Sequence, residues 1–109
     1  MPINSRQKGA RGERDFAKEC RKYGFEARRG QQFSGLEGQD VVGLPGIHIE
    51  CKRTEKFRLY PSLEQATRDA AEKRTPIVAH KKNHHDWVVV MRAEDWFKLY
   101  RESELINEE

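Results

Sequence analysis

Apolar residues recur at helical spacing along the first 23 positions: Ala10, Phe16, Ala17, Cys20 and Tyr23 share one stripe at about 100° per residue. This predicts a helix over 6–23, stopped by Gly24. From Phe25 to Arg29 apolar and polar positions alternate, as in a short strand, and residues 30–38 (GQQFSGLEG) read as a loop. QDVVG at 39–43 predicts a second strand and LPG at 44–46 a turn. Residues 47–53 alternate strictly, with Ile47, Ile49 and Cys51 on one face and His48, Glu50 and Lys52 on the other. A second helix is expected to start near Pro61 and Ser62, where Ser62-Leu63-Glu64-Gln65 fits a capping box and Leu63, Ala66 and Ala70 mark the inner face. Pro76 follows its end. Ile77–His80 and Trp87–Arg92 read as strands flanking a polar KKNHHD turn. A last helix runs from Glu94 to Tyr100 or beyond, with Trp96, Phe97 and Tyr100 as its packing residues, and the acidic tail at 102–109 is expected to fray. The order α-β-β-β-α-β-β-α predicts one α/β domain over residues 1–109, a central mixed sheet flanked by helices.

The length, 109 residues, is ample for one core without disulfide staples. Cys20 and Cys51 lie in apolar-patterned segments with no CxxC around either, which favours reduced, packed thiols. No apolar run approaches the roughly 20 residues of a membrane helix, and the basic N-terminus lacks a signal-peptide core. A soluble, cytoplasmic protein with no membrane partner is therefore expected. The net charge of +3 hides an asymmetry: residues 1–60 carry a net +5 and residues 61–109 a net −2. A basic first half suggests a polyanionic partner, nucleic acid first among them. Arg6, Lys8, Arg11 and Arg14 at the start of the first helix, Arg28 and Arg29 near the loop, and Arg53 and Lys56 beyond the third strand are the candidate phosphate contacts.

Three acids and a lysine break the pattern. Glu13 falls near the middle of the apolar stripe of the first helix, where a carboxylate needs either a basic neighbour or a function. Glu50 and Lys52 share one face of a strand whose other face is apolar, so both must be paired or functional. Asp40 opens the preceding strand just before the LPG turn, and adjacent pairing would bring it beside Glu50. Two carboxylates at about 4 Å repel unless a cation lies between them, and oxygen-only ligands favour Mg²⁺ or Mn²⁺ over zinc. Phosphodiester hydrolysis uses such a cation, with Lys52 adding positive charge at the phosphoryl group. His80, His84 and His85 lie across a turn with no cysteine partner and read as surface residues. Tyr60 is read either as packing ahead of a helix or as a stacking platform.

A helical Glu, then DVV opening a strand, then IECK on the next strand resembles the PD-(D/E)xK nuclease superfamily, and within it the archaeal-type Holliday junction resolvases and their phage relatives. The likeness runs through KGARGERDF (8–16), YGFEARR (23–29), GQDVVG (38–43), IHIECKR (47–53), the Tyr60 segment, Gln65 and TPIVAHKK (75–82). Gln39 stands where the superfamily has a proline. The resemblance implies a restriction-endonuclease-like core and paired symmetric nicking of four-way junctions by a Mg²⁺-dependent homodimer, with Mn²⁺ able to substitute and no small-molecule cofactor. It also implies a prokaryotic or phage-infected host cell. Asp40, Glu50 and the Cys51 carbonyl would bind the cation, and Glu13 would complete or orient its shell. Lys52 would position the attacking water or the phosphate. Ser34 matches a resolvase loop serine, though in a loop of different spacing, and Gln65 either supports the site or only caps its helix. Trp87, Trp96 and Phe97 are open to both core packing and a dimer interface. Other duplex- or flap-cutting nucleases, and a non-catalytic branched-DNA-binding module, remain as alternative readings.

Overall fold

A computed structural model describes residues 5–30 and 39–108, residues 5–8 by their backbone alone. Helix α1 spans Ser5–Lys22. Gly24, at φ +92°, ends it, its N–H donating to the Arg21 carbonyl at 3.0 Å. Five strands follow: β1 (Arg28–Arg29), β2 (Val41–Val42), β3 (Ile47–Arg53), β4 (Thr75–Lys81) and β5 (Val88–Met91), with sheet order β1-β2-β3-β4-β5. Neighbours are antiparallel except β3 and β4, which run parallel. A parallel pair needs a long crossover, and helix α2 (Leu59–Ala70) supplies it. Helix α3 (Ala93–Glu102) and a 3₁₀ turn (Glu104–Asn107) close the chain. No described helix is long and apolar enough to cross a membrane.

The central strand is β3, buried on both faces. Phe16, Ala17 and Cys20 of α1 pack with Ala27, Val41, Ile49, Ile77 and Ala79 into one apolar cluster. The residues between them on β3 and β4 turn to the other face, which α2 covers through its buried Ser62, Ala66 and Ala70. Glycine sets how near α1 comes to β3: a Cβ at Gly12 would lie 2.5 Å from the Arg53 Cβ. Gly12→Ala is expected to cost about 1–3 kcal/mol in overpacking, offset by about 1 kcal/mol of helix propensity. Urea unfolding checks this; an unchanged or higher midpoint would mean that Arg53 gives way.

Several sequence expectations are corrected. β1 is two residues long, not five, because Phe25 is exposed and β2 pairs only with Arg28 and Arg29. β2 itself is confined to Val41 and Val42. α2 begins at Leu59, so Ser62 is not its cap. Ser62 lies buried inside the helix, its N–H donating to the Arg58 carbonyl at 3.1 Å, and no side chain caps the end. Pro61 falls in the first turn, where its missing N–H has no helical partner to lose. Pro76 belongs to β4, near its start. Trp87 packs on Phe16 with ring centroids 5.0 Å apart, whereas Trp96 and Phe97 are 50% and 60% exposed and do not serve the core. The tail does not fray directly after α3 but forms the 3₁₀ turn. Ser34, with the rest of 31–38, lies outside the described residues.

Candidate active site

The short hairpin of β2 and β3 brings the first two acids together. Val41 pairs with Ile49, which sets Asp40 across from Glu50. The Asp40 N–H donates to the Ile49 carbonyl at 3.0 Å, and its Oδ2 accepts from the Cys51 N–H at 2.8 Å. Asp40 and Glu50 lie within hydrogen-bonding reach of each other. Burial first, then the Glu50 charge, pushes the Asp40 carboxyl up to about 6. Lys52, two residues along the same strand face, partly opposes this. Its Nζ donates to Gln65 Oε1 on α2 at 3.3 Å, so Gln65 faces the site and takes no part in a cap.

Glu13 reaches this region from α1. Its Oε2 accepts from Arg29 Nε at 2.5 Å, so its basic neighbour is sixteen residues away in sequence. Burial raises its pKa, the Arg29 hydrogen bond lowers it, and the charge on Asp40 raises it again. Burial and the nearby carboxylates also push the Cys51 thiol up, which keeps it neutral; both cysteines are free thiols.

The proposed phosphate contacts divide into groups. Arg11, Arg14, Arg28 and Lys56 are exposed. Arg29 holds Glu13, and Arg53 donates to Asn83 Oδ1 at 2.8 Å, so both also serve the fold. Arg6 and Lys8 lie in α1, their side chains outside the described set. Tyr60 is 73% exposed and does not pack.

Two features escaped the sequence. His80 is not a surface histidine: its ring stacks on Phe57 at 4.0 Å and its Nδ1 lies 2.8 Å from the Lys52 carbonyl oxygen, bracing the strand that carries Lys52. His48 is buried, with Nε2 2.9 Å from Glu50 Oε1, and Asp69 of α2 presents a carboxylate to the same spot. Their only signals were the two-residue spacing of His48 from Glu50 and the four-residue spacing of Asp69 from Gln65.

The donor set fits a divalent cation. Two carboxylates forced together in a largely buried place, one of them with a raised pKa, lack the positive charge that an ion would supply. The same crowding makes a pH prediction. Asp40 binds its proton more tightly folded than unfolded, so the folded state gains stability as pH falls through about 6 toward 3.8 and loses it as pH rises. Metal-free protein is therefore expected to melt higher at pH 5 than at pH 7, by calorimetry in EDTA. A lower melting temperature at pH 5 would contradict it.

A mixed sheet with helices on both faces thus carries two acids that converge at the β2–β3 hairpin. Residues 4–107 match the family described as "Phage putative PDDEXK endonuclease", and the chain belongs to that family. Among solved structures it is similar to Archaeoglobus fulgidus Hjc, a Holliday junction resolvase from an archaeal hyperthermophile. That likeness has 28% identity and a TM-score of 0.59, over 77% of this chain and 72% of that one. A search of curated proteins found no match. The fold is thus restriction-endonuclease-like, and the protein is a nuclease of a class that generally uses divalent metals.

Proposed function

We propose that the protein is a Mg²⁺-dependent endonuclease that resolves four-way DNA junctions by paired symmetric nicks. The observation that carries this is Asp40 set across from Glu50, with Lys52 two residues further along the same strand. The similarity to a Holliday junction resolvase supports the choice of substrate. Asp40, Glu50 and the Cys51 carbonyl would hold the cation, with Mn²⁺ able to replace Mg²⁺. When bound, the ion supplies Lewis-acid stabilisation of phosphoryl charge and lowers the pKa of water.

The chain's own residues do the rest. A water oxygen forms a bond to phosphorus as the bond to the leaving sugar oxygen breaks, and negative charge builds on the phosphoryl oxygens. Lys52, held by Gln65 and with its strand braced through His80, directs its ammonium at that charge. Glu13, steadied by Arg29, orients the shell around the acids. Arg11, Arg14, Arg28 and Lys56, with Arg6 and Lys8, contact phosphates and set the substrate's register. Ser34 remains a loop candidate for contact with the scissile phosphate. Four-way junctions carry two equivalent cleavage points, which suits a homodimer. Trp87 is committed to the core, which leaves Trp96 and Phe97, two of several exposed aromatics, for such an interface.

The test is a substrate panel in Mg²⁺: an immobile four-way junction, a flap and a linear duplex of matched sequence. Preferential paired nicking of the junction is expected. Equal cleavage of the duplex would make it a general nuclease, and junction binding without cleavage in Mg²⁺ or Mn²⁺ would leave a binding module.

A further inference from the structure

We propose that His48, Glu50 and Asp69 form a second cation site, on the α2 side of Glu50, that takes a transition-metal ion of the Mn²⁺ or Zn²⁺ kind. It shares Glu50 with the proposed nuclease site but can be tested without DNA. His48 and Glu50 are 1% and 3% exposed, on one face of β3, with His48 Nε2 2.9 Å from Glu50 Oε1. Asp69 is exposed on α2, and one of its oxygens lies within 4.8 Å of a His48 ring nitrogen and of a Glu50 carboxylate oxygen. The placement of Asp69 follows from the fold: it is one helical turn beyond Gln65, which the Lys52 hydrogen bond ties to the next outward position of β3.

A histidine–carboxylate hydrogen bond accounts for the pair but leaves Asp69 unexplained. Glu50 also has Asp40 across from it, just before β2, so it stands beside two further carboxylates. A cation between His48, Glu50 and Asp69 would relieve that excess. Imidazole nitrogen among the donors turns preference from Mg²⁺ toward Mn²⁺, Co²⁺ or Zn²⁺. Ligand bonds near 2.1 Å require only a modest inward shift, which the exposed Asp69 can make by rotamer change. Glu50 would then offer one oxygen to each side.

The experiment titrates Mn²⁺ alone into DNA-free protein, following free Mn²⁺ by electron paramagnetic resonance and nitrogen coupling to bound Mn²⁺ by its pulsed form. Wild type is expected to bind two equivalents, with imidazole nitrogen coupling. Asp69→Asn should weaken one equivalent at least about tenfold. His48→Gln should remove that equivalent together with the coupling, and Asp40→Asn should spare both. No nitrogen coupling in wild type, or Asp69→Asn indistinguishable from wild type, would overturn the site; a single wild-type equivalent that keeps the coupling and is lost in His48→Gln would count against the proposed nuclease metal site instead. Should His48→Gln fail to fold, the exposed Asp69→Asn and the wild-type coupling still decide. Two equivalents without cleavage of a four-way junction would sink the junction-resolvase reading and leave this site standing.

Discussion

The Asp40→Asn variant is expected to lose DNA cleavage by at least about 10³-fold and yet, free of metal, to melt at a higher temperature than wild type. The two effects share one cause. Asparagine keeps the shape of the side chain and an oxygen to accept from the Cys51 N–H, so the hairpin hydrogen bond at 2.8 Å survives. What disappears is a charge that burial and Glu50 both oppose, enough to push its carboxyl up to about 6. Removing it should stabilise the metal-free fold by the order of 1–2 kcal/mol at neutral pH, or several degrees in a domain of this size. Calorimetry in EDTA and a gel cleavage assay read the two halves. If Asp40 were a structural ion-pair partner, the variant would melt lower.

Lys52→Met should lower kcat by about 10²–10³-fold, the scale of removing one preorganised charge aimed at the transition state. Junction affinity in Ca²⁺ should change far less, because the proposed phosphate anchoring would be spread over Arg11, Arg14, Arg28 and Lys56. Methionine preserves the aliphatic stem, so the loss to the fold is confined to the hydrogen bond with Gln65, about 1 kcal/mol. Single-turnover kinetics separates the two. A raised KM with kcat unchanged would make Lys52 a ground-state phosphate contact.

The central hairpin was legible because its information is local. Strict alternation over 47–53 puts Glu50 and Lys52 on one face, and a tight LPG turn leaves Asp40 little choice but to return opposite Glu50. The partner of Glu13 was not legible, since Arg29 lies sixteen residues away and meets it only through the packing of α1 beside β1. The burial of His48 was missed for a related reason. Alternation sorts faces but does not say that α2 covers the polar one, and a strand with a helix on each side hides both. The start of α2 was misplaced because Ser62 looks like a cap, whereas Pro61 is tolerated within a first turn that begins at Leu59. α3 misled in the opposite direction: an amphipathic stripe predicts burial, but Trp96 and Phe97 have no partner within the chain's core.

The most direct measurement is cleavage of a labelled four-way junction in Mg²⁺ by wild type and Glu50→Gln side by side, with binding followed in Ca²⁺. A metal-dependent nuclease built on Asp40, Glu50 and Lys52 predicts paired symmetric nicks by wild type, none by the variant, and junction binding retained by both. Equal cleavage by Glu50→Gln, or no cleavage by wild type in Mg²⁺ or Mn²⁺, would contradict it.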